Sequence, residues 1–272
     1  MLAYSISRFQ ASLRLIQIHK ALAVPLLAFW VAYGLLWLLY WQSPLAGSAF
    51  GLVVFCWLVP VVLFTMACLA QLKVIEQIES DKPIDWKELL QATLYSDLKR
   101  ALPGMIIASV TSSAEWIFWL GLTLLSSQYD DLKDSHTARV RVLFLLPAIV
   151  WEGISFSEAE QKSKKMLNER VETFSPNFGL SKVLPLLVLF GLMKAEFFPF
   201  SVIVVSAMIY MEQIIAGELY LWYLRWYKAV ELAPSLGREA PTLEEMEQPS
   251  LLNGVPDLLG VLTNNSAFKP QQ

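Results

Sequence analysis

Long apolar runs separated by short polar stretches dominate the hydropathy pattern of this chain. The clearest runs cover residues 21–41, 45–72, 102–125 and 199–224, and each could cross the roughly 30 Å hydrocarbon core of a bilayer as a helix. Shorter runs lie at 138–152 and 178–194. The pattern predicts an all-α fold, a polytopic membrane helix bundle of about six transmembrane helices.

The composition agrees with a membrane protein. Of the 272 residues, 56% are hydrophobic and 17% are charged, and the mean hydropathy is +0.48. A single soluble domain of this length could not bury so much apolar surface. The basic residues are scattered over short loops, which argues against a nucleic-acid partner and leaves the lipid bilayer as the expected one.

The distribution of Lys and Arg bears on the run at 138–152, in which only about ten residues are apolar, whereas a spanning helix needs about 20. If this segment crosses, 17 of the 21 Lys and Arg lie on one side and four lie on the other. That asymmetry fits the positive-inside rule of a bacterial inner membrane. The sequence thus predicts six spans within a membrane domain, 1–228, and places both termini, including the Pro- and Glu-rich tail 229–272, in the cytoplasm.

Three charged segments with helical periodicity, 7–22, 85–102 and 155–174, each precede a pair of predicted spans. They suggest three units of amphipathic helix plus membrane hairpin; three ordinary solvated linkers are the alternative. In the second segment, four leucines are expected on one face suited to the membrane interface: Leu89, Leu90, Leu94 and Leu98.

The third segment is more polar, and we expect it to pack on protein. Ser155 or Ser157 can cap its N-terminus, and the charge of Glu158 suits the first turn. Just before it, Pro147 is expected to break or kink the fourth apolar run, and Glu152 and Gly153 are expected to end it.

Catalytic chemistry is hard to assemble from this sequence. The chain has two histidines and no HExxH, CxxC, GxSxG or phosphate-cradling glycine loop. We therefore expect no enzyme, no cofactor and no metal site.

Two glutamates fall near the middle of predicted spans, where a charged carboxylate is costly. They are Glu115 in the third span and Glu212 in the sixth, and Thr111 and Ser112 share the helix face of Glu115. One interpretation is a protonated, hydrogen-bonded contact between helices or with a partner subunit. The other is a proton- or cation-binding pocket of a transporter.

Residues 142–180 resemble a pattern of uncharacterised prokaryotic six-span integral membrane families related to the membrane domain of glycerophosphoryl diester phosphodiesterases. The matching positions in this sequence are Pro147, Glu152, Gly153, Glu158, Ala159, Ser163, Leu167, Glu172, Asn177 and Gly179. The resemblance implies an architecture only. The sequence shows no counterpart of the phosphodiesterase barrel, so lipid hydrolysis does not carry over.

These observations favour a non-enzymatic inner-membrane protein that serves as a structural, assembly or accessory subunit, with other membrane-complex subunits or a second copy as partners. The alternative is a small transporter or channel that uses Glu115 and Glu212. An apolar island in the tail, 249–262, is expected either to dock on a partner or to fold back on the membrane domain.

Overall fold

A computed structural model describes residues 12–107, 109, 143–174, 198–237 and 239–246. These residues form helices and connecting turns, with no strand among them. The described helices are numbered in chain order: α1 (12–18), α2 (Lys20–Gln42), α3 (49–79), α4 (86–107), α5 (Leu143–Glu152), α6 (Phe156–Phe174) and α7 (Phe198–Leu232). Two short 3-10 turns follow α7, at Pro234–Leu236 and Leu243–Glu245.

Three of these helices, α2, α3 and α7, are long and apolar enough to cross a membrane. Helix α2 keeps a broad apolar face uncovered, with Leu27, Val31, Leu35, Leu38 and Leu39 each more than half exposed. A contiguous apolar face of this kind is stable against lipid and not against water. The described residues therefore form an all-helical structure, and three of its helices are suited to crossing a membrane.

Helices α2 and α3 form an antiparallel hairpin. Gly47 takes a left-handed conformation in the turn, with φ of 80°, and the Ser48 hydroxyl caps α3 by accepting a hydrogen bond of 3.0 Å from the Gly51 N–H. Aromatic pairs hold the two helices together along their length. Phe29 meets Phe64 edge to face with ring centroids 5.4 Å apart, and Tyr40 lies 5.0 Å from Phe55.

Helices α3 and α7 both end later than the apolar runs that predicted them. Helix α3 starts at Ala49, after the hairpin turn, and includes one wide turn at Val54–Leu58 before its main part, Val59–Glu79. It continues past the predicted limit at residue 72 through Lys73 and Glu76, whose side chains pair at 3.2 Å. Helix α7 likewise runs eight residues beyond 224, to Leu232. Helix α5 covers residues 143–152 of the fourth predicted span. The fifth predicted span lies outside the described residues, and so does the part of the third span that follows residue 109.

The amphipathic segments are helical where they are described, and each buries part of its surface on the protein. Helix α1 contributes Leu15 to the core, and α6 contributes Ala159, Met166 and Leu167. In α4 the predicted leucine face is split, because Leu89 is 2% exposed and faces the core, whereas Leu90 is 50% exposed. The prediction that all four leucines share one interfacial face is therefore wrong.

Helix α4 is joined to α3 by charge. Asp97, which is buried, lies 4.0 Å from the Lys73 ammonium. Burial raises the pKa of the Asp97 carboxyl above its ordinary range, and the positive charges of Lys73 and Arg100 act in the opposite direction. The folded state consequently holds the Asp97 proton more readily than the unfolded chain does.

We therefore expect the free energy of unfolding to fall as pH rises from the ordinary pKa of an aspartate, about 3.9, through the raised folded value, because the unfolded chain loses this proton first. Asp97→Asn should remove that dependence. Thermal unfolding of both proteins in detergent over the weakly acidic range measures the difference. Glu88→Gln, at an exposed position of the same helix, controls for the loss of one negative charge. Equal pH dependence in the wild type and Asp97→Asn would contradict the prediction.

Candidate functional site: the buried polar contacts of helix α7

One turn of α7, residues 210–213, is hydrogen-bonded to four other parts of the chain. The Gln71 amide of α3 donates to the Tyr210 carbonyl at 3.1 Å, and the Ser12 hydroxyl of α1 donates to the Met211 carbonyl at 3.2 Å. In return, the Tyr210 hydroxyl donates to the Leu22 carbonyl at 2.7 Å. Each bond is buried and runs from a side chain to a main-chain carbonyl, so this turn fixes the relative positions of the helices around it.

The fourth contact, made by Gln213 of α7, compensates for a hydrogen bond that a proline in α5 cannot make. Pro147 has no N–H, so within α5 it cannot satisfy the carbonyl of Leu143, four residues earlier. The Gln213 amide of α7 donates to that same carbonyl at 2.9 Å, and the Gln213 side chain is buried. Gln213 thus supplies the hydrogen bond that Pro147 removes, which explains how an uncharged polar side chain is accommodated in this part of the core.

The end of α5 has the local geometry that the sequence predicts. Helix α5 stops at Glu152, and Gly153 follows with φ of 64°, its N–H bonded to the Ile149 carbonyl at 3.1 Å. The Ser155 hydroxyl accepts from the Glu158 N–H, while the Glu158 carboxylate accepts from the Ser155 N–H at 2.9 Å. The Ser155 hydroxyl also donates to the Glu158 carboxylate at 2.8 Å, and the two hydrogen bonds that this carboxylate accepts from Ser155 lower the pKa of Glu158. The predicted helix end at Glu152 is confirmed, and of the two predicted capping residues, Ser155 and Ser157, Ser155 makes the capping bonds.

Two features require glycine at position 153: its left-handed backbone conformation and the close approach of a neighbouring side chain. A side chain in the left-handed region costs about 1–2 kcal/mol, and a Cβ on Gly153 would lie 3.2 Å from Nη1 of Arg100 in α4. We expect Gly153→Ala to destabilise the protein more than Gly237→Ala, because Gly237 has the same left-handed conformation with nothing within 4 Å. Melting temperatures of the two variants in one detergent test this, and equal losses would show that the Arg100 contact has no effect.

Glu152 lies at the centre of a charged contact between three helices. Its carboxylate accepts a hydrogen bond from the Tyr220 hydroxyl of α7 and pairs with the Lys162 ammonium of α6. The Lys162 ammonium also lies 5.3 Å from the ring centroid of Tyr227, within the range of a cation–π interaction. Glu152 therefore connects α5 to both α6 and α7.

A second group of charges lies further along α7. The Arg225 guanidinium is 2.9 Å from the carboxylate of Glu79, the last residue of α3. Both groups act electrostatically on Glu218, which is fully buried. Among the described residues, neither carboxylate oxygen of Glu218 has a hydrogen-bond partner. We name Glu79, Glu218 and Arg225 the α3–α7 charge cluster.

The chain after α7 turns back and packs on the helix. The Trp226 indole N–H donates to the Pro241 carbonyl at 2.9 Å, and the Trp222 indole N–H donates to the Met246 carbonyl at 3.4 Å. Leu243, between these two carbonyls, is fully buried. The start of the predicted tail is thus bound to α7, and the apolar island at 249–262 lies outside the described residues.

The structure describes nine of the predicted positions, and three of these, Ala159, Leu167 and Glu172, belong to α6. Glu212 is 4% exposed in the turn of α7 described above, Pro147 and Ser163 are buried, and Glu152, Gly153 and Glu158 form the corner between α5 and α6. The other predicted positions lie outside the described residues: Glu115, Thr111, Ser112, Asn177 and Gly179.

Sequence reasoning missed Gln71, Gln213 and the α3–α7 charge cluster. The one signal available was that polar side chains occur within or beside apolar runs, where such groups commonly join helices. The described residues contain no group of three or more His, Cys, Asp or Glu side chains able to hold a metal ion. Comparisons of the chain with protein-family models, curated protein sequences and solved structures find no match.

Proposed function

We propose that this protein is a non-enzymatic structural, assembly or accessory subunit of a larger membrane complex in a bacterial inner membrane. The observation that carries the proposal is the use made of buried polar groups. Gln71, Gln213 and the Tyr210 hydroxyl each donate to a main-chain carbonyl of another helix or segment. Polar groups used in this way hold a helix bundle together, and none of them is placed as an acid–base or nucleophilic pair.

The proposed topology has six spans, arranged as three units of amphipathic helix plus hairpin, with both termini in the cytoplasm. The distribution of Lys and Arg supports this topology. The resemblance of residues 142–180 to six-span families, itself still a prediction, also supports it. Single cysteines at Ser43 and Ser135 are expected to react with an impermeant maleimide from the periplasm, and one at Ser235 from the cytoplasm. Labelling of all three from one side would contradict six spans.

Purification from the native membrane in nanodiscs, followed by mass spectrometry of the bound proteins, tests the subunit role. We expect the same partner proteins at stoichiometric level in independent preparations. The Trp226→Phe variant removes the donor to Pro241 and keeps an aromatic ring, so it tests whether the folded-back tail is part of the binding surface. A clean single species from the native membrane would overturn the subunit proposal.

A small transporter or channel is the second candidate function. Two buried carboxyl groups on α7 favour it, Glu212 and Glu218, because ionisable groups inside membrane proteins commonly mark ion or proton pathways. Glu115 was predicted to act with Glu212. Proton flux into proteoliposomes should be lost in Glu115→Gln or Glu212→Gln if this function is correct, and unchanged flux in both would remove these residues from the mechanism.

A further inference from the structure

Helix α4 has three distinct faces, and among the described residues only one of them packs on protein. The face toward the core repeats at every third or fourth residue and holds Leu89, Thr93, Asp97, Ala101 and Gly104, all buried. The adjacent face carries Trp86, Leu90 and Leu94, four residues apart, which are 36%, 50% and 44% exposed. Large apolar side chains therefore line one side of a helix that is already fixed to the protein along another side.

The third face of α4 carries charged residues. Lys87 lies about 60° around the helix from Leu90, and the wide turn at Thr93–Asp97 brings Lys99 and Tyr95, which is 81% exposed, to the same flank. Glu88 points away from Leu90 and Leu94, since two residues further along a helix is about 200° of rotation. This order, apolar side chains flanked by Lys and Tyr with an acid opposite, is typical of a helix at a membrane surface.

The contacts of α4 place it at the level where the apolar parts of the other helices end. Asp97 contacts Lys73, the first charged residue after the apolar part of α3. Three residues on, Arg100 lies beside Gly153, directly after Glu152, which is the first charge at the end of α5.

A third contact lies at the same corner. The Phe156 ring occupies the space that a Cβ on Gly104 would need, so α4 approaches the start of α6 closely at this point. All three anchors therefore lie at the apolar–polar boundary of the bundle rather than deep within it or far outside it.

We propose that residues 86–101 of α4 lie in the headgroup region of the bilayer, with Trp86, Leu90 and Leu94 inserted among the upper acyl chains and Lys87 and Lys99 reaching phospholipid phosphates. This inference rests on the membrane embedding of α2, α3 and α7. It is independent of the partner-subunit role. The exposed side of α4 thus binds the lipid surface.

Spin labelling in nanodiscs of phosphatidylethanolamine and phosphatidylglycerol tests this placement. Single cysteines are introduced at Leu90, Leu94 and Glu88 of the full chain, after replacement of Cys56 and Cys68 by alanine. Each label is scored by its collision rates with oxygen, which concentrates in the acyl region, and with a water-soluble nickel chelate. All three positions are exposed, so labels there do not disturb the core.

We expect oxygen collisions to exceed nickel collisions at Leu90 and Leu94, and the reverse at Glu88. Nickel collisions that dominate at Leu90 and Leu94 would show that this side faces water, and low collision rates with both reagents would show that protein covers it; either result overturns the proposal. A label at Leu35 on the exposed face of α2 serves as the control for membrane embedding. If only the labels on α4 give the contrary result, the membrane embedding of the long helices still stands. The contrary result at Leu35 would remove the basis of that embedding and of the α4 placement together.

Discussion

Replacing Arg225 by methionine is expected to lower the free energy of unfolding by about 3 kcal/mol, the low end of the range for breaking a buried ion pair. The low end applies because the Arg225 side chain is 38% exposed and solvent screens part of the interaction. The loss arises mainly from what remains. Glu79 and Glu218 would lie buried near each other without the Arg225 guanidinium, which lies 2.9 Å from the Glu79 carboxylate and acts electrostatically on Glu218.

Two further variants separate the charge from the shape of the side chain. Arg225→Lys keeps the positive charge and should lose less stability than Arg225→Met. Adding Glu79→Gln to Arg225→Met removes one of the two stranded carboxyl groups, so the double variant should be more stable than Arg225→Met alone. Reversible unfolding in mixed detergent micelles measures all four proteins. If Arg225→Met and Arg225→Lys unfold alike, the α3–α7 charge cluster contributes no electrostatic stabilisation.

Replacing Gln213 by leucine is expected to cost about 2 kcal/mol, because the Leu143 carbonyl loses its donor in a buried site where water cannot replace it. The cost should depend on Pro147. In a Pro147→Ala background the residue at 147 regains an N–H, which can bond the Leu143 carbonyl within α5. Gln213→Leu should then be nearly neutral.

The four proteins of this cycle give the coupling free energy between positions 147 and 213 from their unfolding midpoints. Gln71→Leu serves as the matched control, since it also removes an amide that donates to a main-chain carbonyl, and Pro147 plays no part in that bond. Its cost should be the same in both backgrounds. Additive effects of Pro147→Ala and Gln213→Leu would show that the glutamine does not compensate for the proline.

Hydropathy predicted α2, α3 and α7 as helices because an apolar run of about 20 residues has few other stable structures. Hydropathy did not predict where α3 and α7 end. It indicates which residues suit the apolar core of the membrane, whereas a helix ends where its main-chain hydrogen bonds end. Lys73 and Glu76 are compatible with a helix and pair with each other one turn apart. The helices therefore continue beyond the apolar runs.

At the candidate site, the features that could be predicted were local ones. The cap between Ser155 and Glu158 spans three residues, and the end of α5 depends on Gly153, so both are readable from neighbouring residues. The bond from Gln213 to the Leu143 carbonyl joins residues 70 positions apart. A single sequence carries no information on which distant segments meet, and so neither that bond nor the pairing of Glu79 with Arg225 could be anticipated.

The hydrogen bonds that run from a side chain to a main-chain carbonyl of another segment have an evolutionary consequence. In each of them only the donor side chain is specified, because every residue, proline and glycine included, presents the same main-chain carbonyl. Among homologues, Gln71, Gln213 and Trp226 should therefore be constrained, whereas Met211 and Pro241 can change without loss of the bond. Paired substitutions, which reveal contacts between two side chains, would leave these contacts undetected.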